Sequence, residues 1–326
     1  MALLEVRDLC VDYIALDGGY VRAVDNVSFE INEGEILGLA GESGCGKSTI
    51  AYSLLRLHKP PAVISSGSIK LQGQEILDLN EKELEKFRWN EIAMVFQSAM
   101  NCLNPVVTLE KQFYEIFYYH NITADKKEAR KKACKLLELV GIPAERLSDY
   151  PHQFSGGMRQ RAIIAMALAL NPKLLILDEP TTALDTVVQR DILKRILELK
   201  NELNFAILFI THDISLMMEF CDNIAIMYAA KFVEKAPSLD ILRRPLHPYS
   251  FGLKNSFPSL QGEIEYMEGI AGSPLNLRKI PTGCRFQDRC FRVADKCRKF
   301  DPERTTTDKG YFYCHLPLNQ EVSNEK

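Results

Sequence analysis

Apolar and polar residues alternate from Leu3 to Tyr13 and again from Val21 to Ile31, with Asp17-Gly18-Gly19 between them, the pattern of a β-hairpin. Ser68 to Ile76 repeats that pattern as a second short hairpin in the same small sheet. The apolar run from Ile36 to Ala40 predicts a buried strand, and Ile92 to Phe96 predicts another, ending at Gln97. From residue 98 to 170 the strand pattern stops. Leu109 to Tyr119 and Lys126 to Val140 place apolar residues at three- and four-residue spacing, so both predict helices. Gly141-Ile142-Pro143 ends the second. The charge run from Asp125 to Lys132 is the solvated start of that helix rather than a basic patch. Strands resume at Lys173–Asp178 and Ala206–Thr211 around an amphipathic helix over Val187–Leu203, a strand–helix–strand unit that implies parallel pairing. Asn223 to Lys235 predicts two more strands. Beyond Ala236 prolines recur and the periodicity fades, which places a boundary there: residues 1–235 as one domain, with a helical subdomain over about 98–170, and residues 236–326 as an extension.

Between the strand at Ile36–Ala40 and a helix from Thr49 lies Gly41-Glu42-Ser43-Gly44-Cys45-Gly46-Lys47-Ser48-Thr49, which fits G-x-x-x-x-G-K-S/T. Glycines let successive backbone amides turn inward around a phosphate, and the positive end of the helix adds to the field. Lys47 is expected to reach the β- and γ-phosphates and the Ser48 hydroxyl to bind magnesium. This is a nucleotide site.

Composition narrows the classes. Of 326 residues 46% are hydrophobic and 25% charged, ordinary for a soluble globular protein. The net charge of −3 supplies no basic field for a nucleic-acid partner. The longest apolar stretch, Ala162 to Leu170, is half of a membrane span and reads as a buried helix. Met1 to Asp8 lacks the pattern of a secretory signal, so the cytosol is expected, and there the nine cysteines are not structural disulfides.

Leu174–Leu177 ends in two carboxylates. Asp178 suits a magnesium ligand opposite Ser48, and Glu179 could polarise a water aimed at the γ-phosphate. Ser155-Gly156-Gly157 opens a long helix, a second glycine-exposed anion site whose simplest reading is a helix cap at Ser155.

In order along the chain, these features resemble the ATPase subunits of ATP-binding cassette (ABC) transporters over residues 1–235. Ser155-Gly156-Gly157-Met158-Arg159-Gln160 matches the family signature, with Phe154 and Met158 in place of the commoner Leu and Gln. Gln97 matches the Q-loop glutamine, Ala183-Leu184-Asp185 the D-loop, Thr211-His212-Asp213 the switch histidine, and Tyr13 the aromatic that stacks on the base. The resemblance implies an α/β fold: a P-loop NTPase core with an antiparallel β subdomain and a helical subdomain, plus a small irregular Cys-rich C-terminal domain. It implies ATP and Mg2+, bound by Ser48, Gln97 and Asp178, with Glu179 as general base and Lys47, Gln97 and His212 around the reacting phosphate. Two such chains would sandwich two ATPs between phosphate loop and signature helix.

Cys284, Cys290, Cys297 and Cys314 fall within 31 residues without the C-x2-4-C pairs of zinc ribbons. Spacing leaves zinc, an iron–sulfur cluster and four free thiols open. Arg244-Pro245-Leu246-His247-Pro248-Tyr249-Ser250 and the cysteine tail resemble the ATPases of dipeptide/oligopeptide importers, as does Leu103-Asn104-Pro105. Ser98-Ala99 and Asn101-Cys102 depart from that pattern. This narrower resemblance implies a four-iron four-sulfur cluster on the four cysteines, zinc being the alternative. His315 could compete as a ligand, but a histidine beside four thiolates is more often inert. It implies a second homologous ATPase as partner (a heterodimer, or else a homodimer), two transmembrane permease subunits, an extracytoplasmic solute-binding protein and a peripheral place on the cytoplasmic face of the membrane. The alternatives are an importer of nickel or another small solute, and a soluble ABC ATPase without transport.

Overall fold

The structure, a computed structural model, describes residues 2–15, 18–97, 99–181, 184–256 and 269–318. In chain order the elements are β1 (Ala2–Ile14), β2 (Tyr20–Asn32), β3 (Ile36–Ala40), α1 (Lys47–Leu54), β4 (Ala62–Leu71) and β5 (Gln74–Glu75). Then come α2 (Glu81–Phe87), β6 (Ile92–Val95), α3 (Leu109–Tyr119), α4 (Lys126–Leu139), α5 (Gly156–Ala167), β7 (Leu174–Asp178), α6 (Thr186–Leu203) and β8 (Ala206–Ile210). The last are α7 (Ile214–Phe220), β9 (Asn223–Tyr228), β10 (Lys231–Pro237), α8 (Ser238–Arg243), α9 (Pro248–Asn255), α10 (Asp295–Lys299), β11 (Thr305–Thr306) and β12 (Tyr311–Phe312). No helix among the described residues is long and apolar enough to cross a membrane.

Two compact units emerge. One combines Ile31–Glu35 and Asp78–Leu208 with the first residues of the chain. The other combines Leu4–Glu30 and Ile36–Leu77 with everything from Phe209 onward. They interleave in sequence, so packing follows a different line from the change of sequence texture near residue 236.

In the first unit β6 and β7 are parallel, with Ile92 opposite Leu174 and Val95 opposite Leu177. Every residue of β7 is buried, the continuous apolar strand expected where both faces are covered. The helices α3 and α4 pack through Leu109, Phe113 and Phe117 on one and Ala129, Ala133 and Leu137 on the other, the three- and four-residue spacing seen in the sequence. The sequence pattern missed α2. It is short, and its start is fixed by a capping box in which Asn80 accepts from the Glu83 amide while Glu83 accepts from that of Asn80. The apolar run from Ala162 is buried as expected, but its helix stops at Ala167.

In the second unit β2, β1, β4 and β5 form an antiparallel sheet in that order. Both expected hairpins are present: β1 lies beside β2, with the Asp8 amide donating to Ser28 Oγ and the Asn26 amide to Cys10 Sγ, and β4 turns into β5 with Leu71 facing Gln74. On its other edge β1 pairs with β4, Val6 facing Ile69. Asp17, in the turn of the first, and Ser98 lie outside the described residues. Five neighbouring strands of a second sheet run β11-β12-β10-β9-β3. Its β3 is parallel to β9, with Ala40 opposite Ile226. The C-terminal region, read from sequence as irregular, adds β12 to this sheet by pairing Tyr311 with Lys235 and Phe312 with Glu234. Two-residue strands carry no periodicity of their own, so only their partner reveals them.

Candidate functional site

The phosphate loop begins where β3 ends. Register with β9 sets Gly41 against Met227, and a Cβ at Gly41 would meet the Met227 carbonyl oxygen at 2.2 Å. A Cβ at Gly46 would meet the Ala23 carbonyl at the same distance, and its φ of +115° further excludes other residues. The loop therefore passes backbone against backbone before α1 starts at Lys47. The Lys47 ammonium is buried and donates to the carbonyls of Gly41 (2.7 Å) and Glu42 (2.9 Å), which hold it inside the loop's curve. Cys45 is buried beside it, and loss of solvation pushes its thiol pKa up. Tyr13 is half-buried near the end of β1, and His212 is exposed after β8.

The parallel pairing of β6 and β7 brings Gln97 and Glu179 together, since each follows its strand by one or two residues. Gln97 Nε2 donates to Glu179 Oε2 at 2.9 Å. Asp178 is only 1% exposed, and Glu179 has a φ of +46°, a conformation that costs an L residue of order 1 kcal/mol and is concentrated at functional sites. At the start of α5 the Ser155 hydroxyl accepts from the Met158 amide, so the helix-cap reading holds for this residue. Asp185 caps α6, accepting from Val187 and Val188. Ala183 lies outside the described residues.

Glu42 belongs to the phosphate loop, yet its partners come from the far end of the chain. Arg289 pairs with its carboxylate through two parallel bonds of 2.8 Å, and the Glu42 amide donates to the Tyr249 hydroxyl at 3.0 Å. His247, in the same buried segment, accepts from the Tyr249 amide through Nδ1 and donates its own amide to Glu234. Burial pushes the His247 imidazole down to about 3. Sequence reasoning gave none of these three residues a role. The one available signal was the acidic Glu42 in an anion-binding loop, which calls for a nearby cation.

The four tail cysteines converge enough to feel one another. Burial, first, pushes Cys284 up to about 12 and Cys314 up to about 11, and the neighbouring thiols add to both. The Cys284 amide donates to the Cys297 carbonyl at 2.8 Å. Four thiols are a donor set suited to a soft metal. As placed, however, no three His, Cys, Asp or Glu side chains among the described residues form a metal-ligand group. His315 is bonded through Nε2 to the Phe300 carbonyl.

A phosphate loop with a buried lysine, and a glutamine-bonded acid after a buried strand, define a nucleotide-hydrolysing cassette. Residues 24–182 match the family described as ABC transporter, and residues 233–297 match the one described as Oligopeptide/dipeptide transporter, C-terminal region. The chain belongs to the ABC transporter ATPases, within the group that carries this C-terminal region. It is 43% identical to the oligopeptide transport ATP-binding protein OppD of Escherichia coli (strain K12), covering 98% of this chain and 94% of that one. It is also 43% identical to the oligopeptide transport ATP-binding protein AppD of Bacillus subtilis (strain 168), over 94% of each. Among solved structures it is similar to the ATP-binding cassette MJ0796 in a dimeric post-hydrolysis state bound to ADP and phosphate. That likeness has a TM-score of 0.64 at 28% identity and covers 72% of this chain and 98% of the other.

Proposed function

We propose that the chain is the ATP-hydrolysing subunit of an importer of di- and oligopeptides, driven by ATP-dependent dimerisation of nucleotide-binding domains. One observation carries the reading: a cassette match and an oligopeptide/dipeptide C-terminal match occur in the same chain. Relatives of nearly the same length are named for oligopeptide transport. The residue roles follow the motifs. The amides of Gly41 to Thr49 and the Lys47 ammonium take the phosphates, and Tyr13 takes the base. The Ser48 hydroxyl, the Gln97 amide oxygen and the Asp178 carboxylate are hard oxygen donors of the kind Mg2+ takes. Magnesium bound by them would neutralise charge developing on the phosphates. Glu179 accepts the proton of the attacking water, with Gln97 holding its carboxylate, and His212 steadies the γ-phosphate. Ser155 to Gln160 and Asp185 face the nucleotide of a second, homologous ATPase.

The remaining partners are two permease subunits and an extracytoplasmic solute-binding protein, with the chain peripheral on the cytoplasmic face of the membrane. A groove of about 550 Å³ in the first unit, lined by Trp89, Phe96, Leu103, Lys111, Tyr119 and Ile163, supports docking of a permease segment. The four cysteines would hold an iron–sulfur cluster, with zinc as the alternative, only after their side chains turned toward one another, since as placed they form no ligand group. Protein purified without oxygen should hold about four irons and four sulfides per chain, or one zinc, and a metal-free chain would overturn that part.

The test of function is reconstitution with permeases and binding protein in vesicles. Peptide-loaded binding protein should stimulate ATP hydrolysis and peptide uptake. Glu179→Gln should lower turnover at least ~100-fold while ATP binding persists, the usual loss on removing a general base. Stimulation by nickel in place of peptide would overturn the substrate, and near-normal turnover in the variant would overturn the base.

A further inference from the structure

The phosphate loop of this chain contains an acid where it must attract a triphosphate. A carboxylate beside bound phosphates opposes them unless its charge is cancelled. The cancelling group is Arg289, whose side chain is only 5% exposed. Its guanidinium is held from every side. Nη1 and Nη2 grip Glu42, Nη2 also donates to the Ile270 carbonyl at 3.2 Å, and Nε donates to the Ala271 carbonyl at 2.9 Å. The rings of Tyr228 and Phe286 lie 5.8 and 6.0 Å from its centre. Such a planar, bidentate, stacked setting is one a lysine cannot reproduce. The Tyr249 hydroxyl fixes the other handle of the same residue, taking the Glu42 amide out of competition with the amides that follow it. Tyr249 is fully buried, packed against Tyr228 and Phe286 with ring centroids 4.7 and 5.2 Å away. The two contacts join residues more than 200 positions apart in sequence, and both act on one residue of the nine-residue motif.

We propose that Arg289 and Tyr249 are positioning residues for nucleotide binding: the C-terminal region holds the phosphate loop in shape and cancels the charge of Glu42. The inference rests on the phosphate loop being the ATP site. It adds that affinity at this site is set in part by the tail, through a residue adjacent to Cys290.

The experiment is ATP titration of the full-length chain, with Lys47→Ala as the binding-defective reference and thermal unfolding measured on every variant. Arg289→Gln should weaken ATP binding about tenfold, as expected for uncovering one charge beside a polyanion, and the loss should shrink at high salt. Arg289→Lys should recover part of it. Glu42→Gln combined with Arg289→Gln should recover most of it, because the repelling charge is gone along with its partner. Tyr249→Phe should weaken ATP binding a few-fold, and wild-type affinity in this variant would remove Tyr249 from the proposal. Wild-type affinity in Arg289→Gln would overturn the proposal. So would a double variant as weak as the single one, since that outcome marks a plain structural staple. A wild-type chain that binds no ATP would overturn this inference and the site assignment together.

Discussion

His247 shows what burial does to a titratable residue in this chain. Its side chain accepts the Tyr249 amide through Nδ1, a role open only to the neutral ring, and burial strips it of the solvation that would stabilise a charge. Its folded pKa of about 3 lies below the value near 6.5 of an exposed imidazole. The unfolded chain therefore binds the extra proton first as pH falls. Stability from this residue is complete above about pH 6.5 and is lost progressively as pH drops toward 3, by at most roughly 1.4 kcal/mol per pH unit. Burial raises the nearby Glu234 carboxyl, which receives the Leu246 and His247 amides; a raised folded pKa acts in the opposite sense, favouring the folded chain as pH falls. His247→Asn keeps a capping group but removes the imidazole. Urea unfolding between pH 5 and pH 7 should show a steeper loss for the wild type than for this variant, and parallel profiles would remove His247 from the account.

At the scale of elements, the sequence motifs and the local structure assign two jobs to the same residues. Asp185 matches the D-loop, and in the fold its carboxylate caps α6 by accepting from two amides near 3.0 Å. Asn caps a helix about as well as Asp, whereas Ala does not. Asp185→Ala should therefore cost about 1 kcal/mol of stability, and Asp185→Asn should cost little. Denaturant midpoints measure that difference. A loss of ATPase activity in the Asn variant at wild-type stability would isolate the second job. The elements also explain what the sequence made legible. The phosphate loop, β6, β7 and α6 could be read because each signal is contiguous: a nine-residue motif, an apolar run, an amphipathic period. Gln97 and Glu179 are joined in the sequence only by the family resemblance; that adjacent parallel strands carry them to the same end is a finding of the fold. By contrast β11 and β12 take their definition from β10, which is far from them in sequence. The Glu42–Arg289 pair was hidden for the same reason.

At the scale of the whole molecule, the C-terminal region is part of the compact unit that holds the phosphate loop. Arg285 bonds the Ala229 carbonyl and pairs with Asp25, Tyr311 donates to the Ser28 carbonyl, and β12 extends the sheet that contains β3. Arg289 ties the cysteine segment to Glu42. Coupling of this kind is reciprocal. If opening the segment from Cys284 to Cys297 releases Arg289 and weakens ATP about tenfold, bound ATP must make that opening about tenfold rarer, equivalent to roughly 1.4 kcal/mol. The reporters are the amides of Cys284 and Cys297, bonded to the Cys297 and Ala294 carbonyls. Their hydrogen exchange should slow about tenfold at saturating ATP, held unhydrolysed by Glu179→Gln, and the slowing should vanish when Arg289→Gln is added. Equal slowing in both backgrounds would mean that ATP reaches the tail by another route. No slowing in either would mean that the cysteine segment is bolted to the cassette without sensing it.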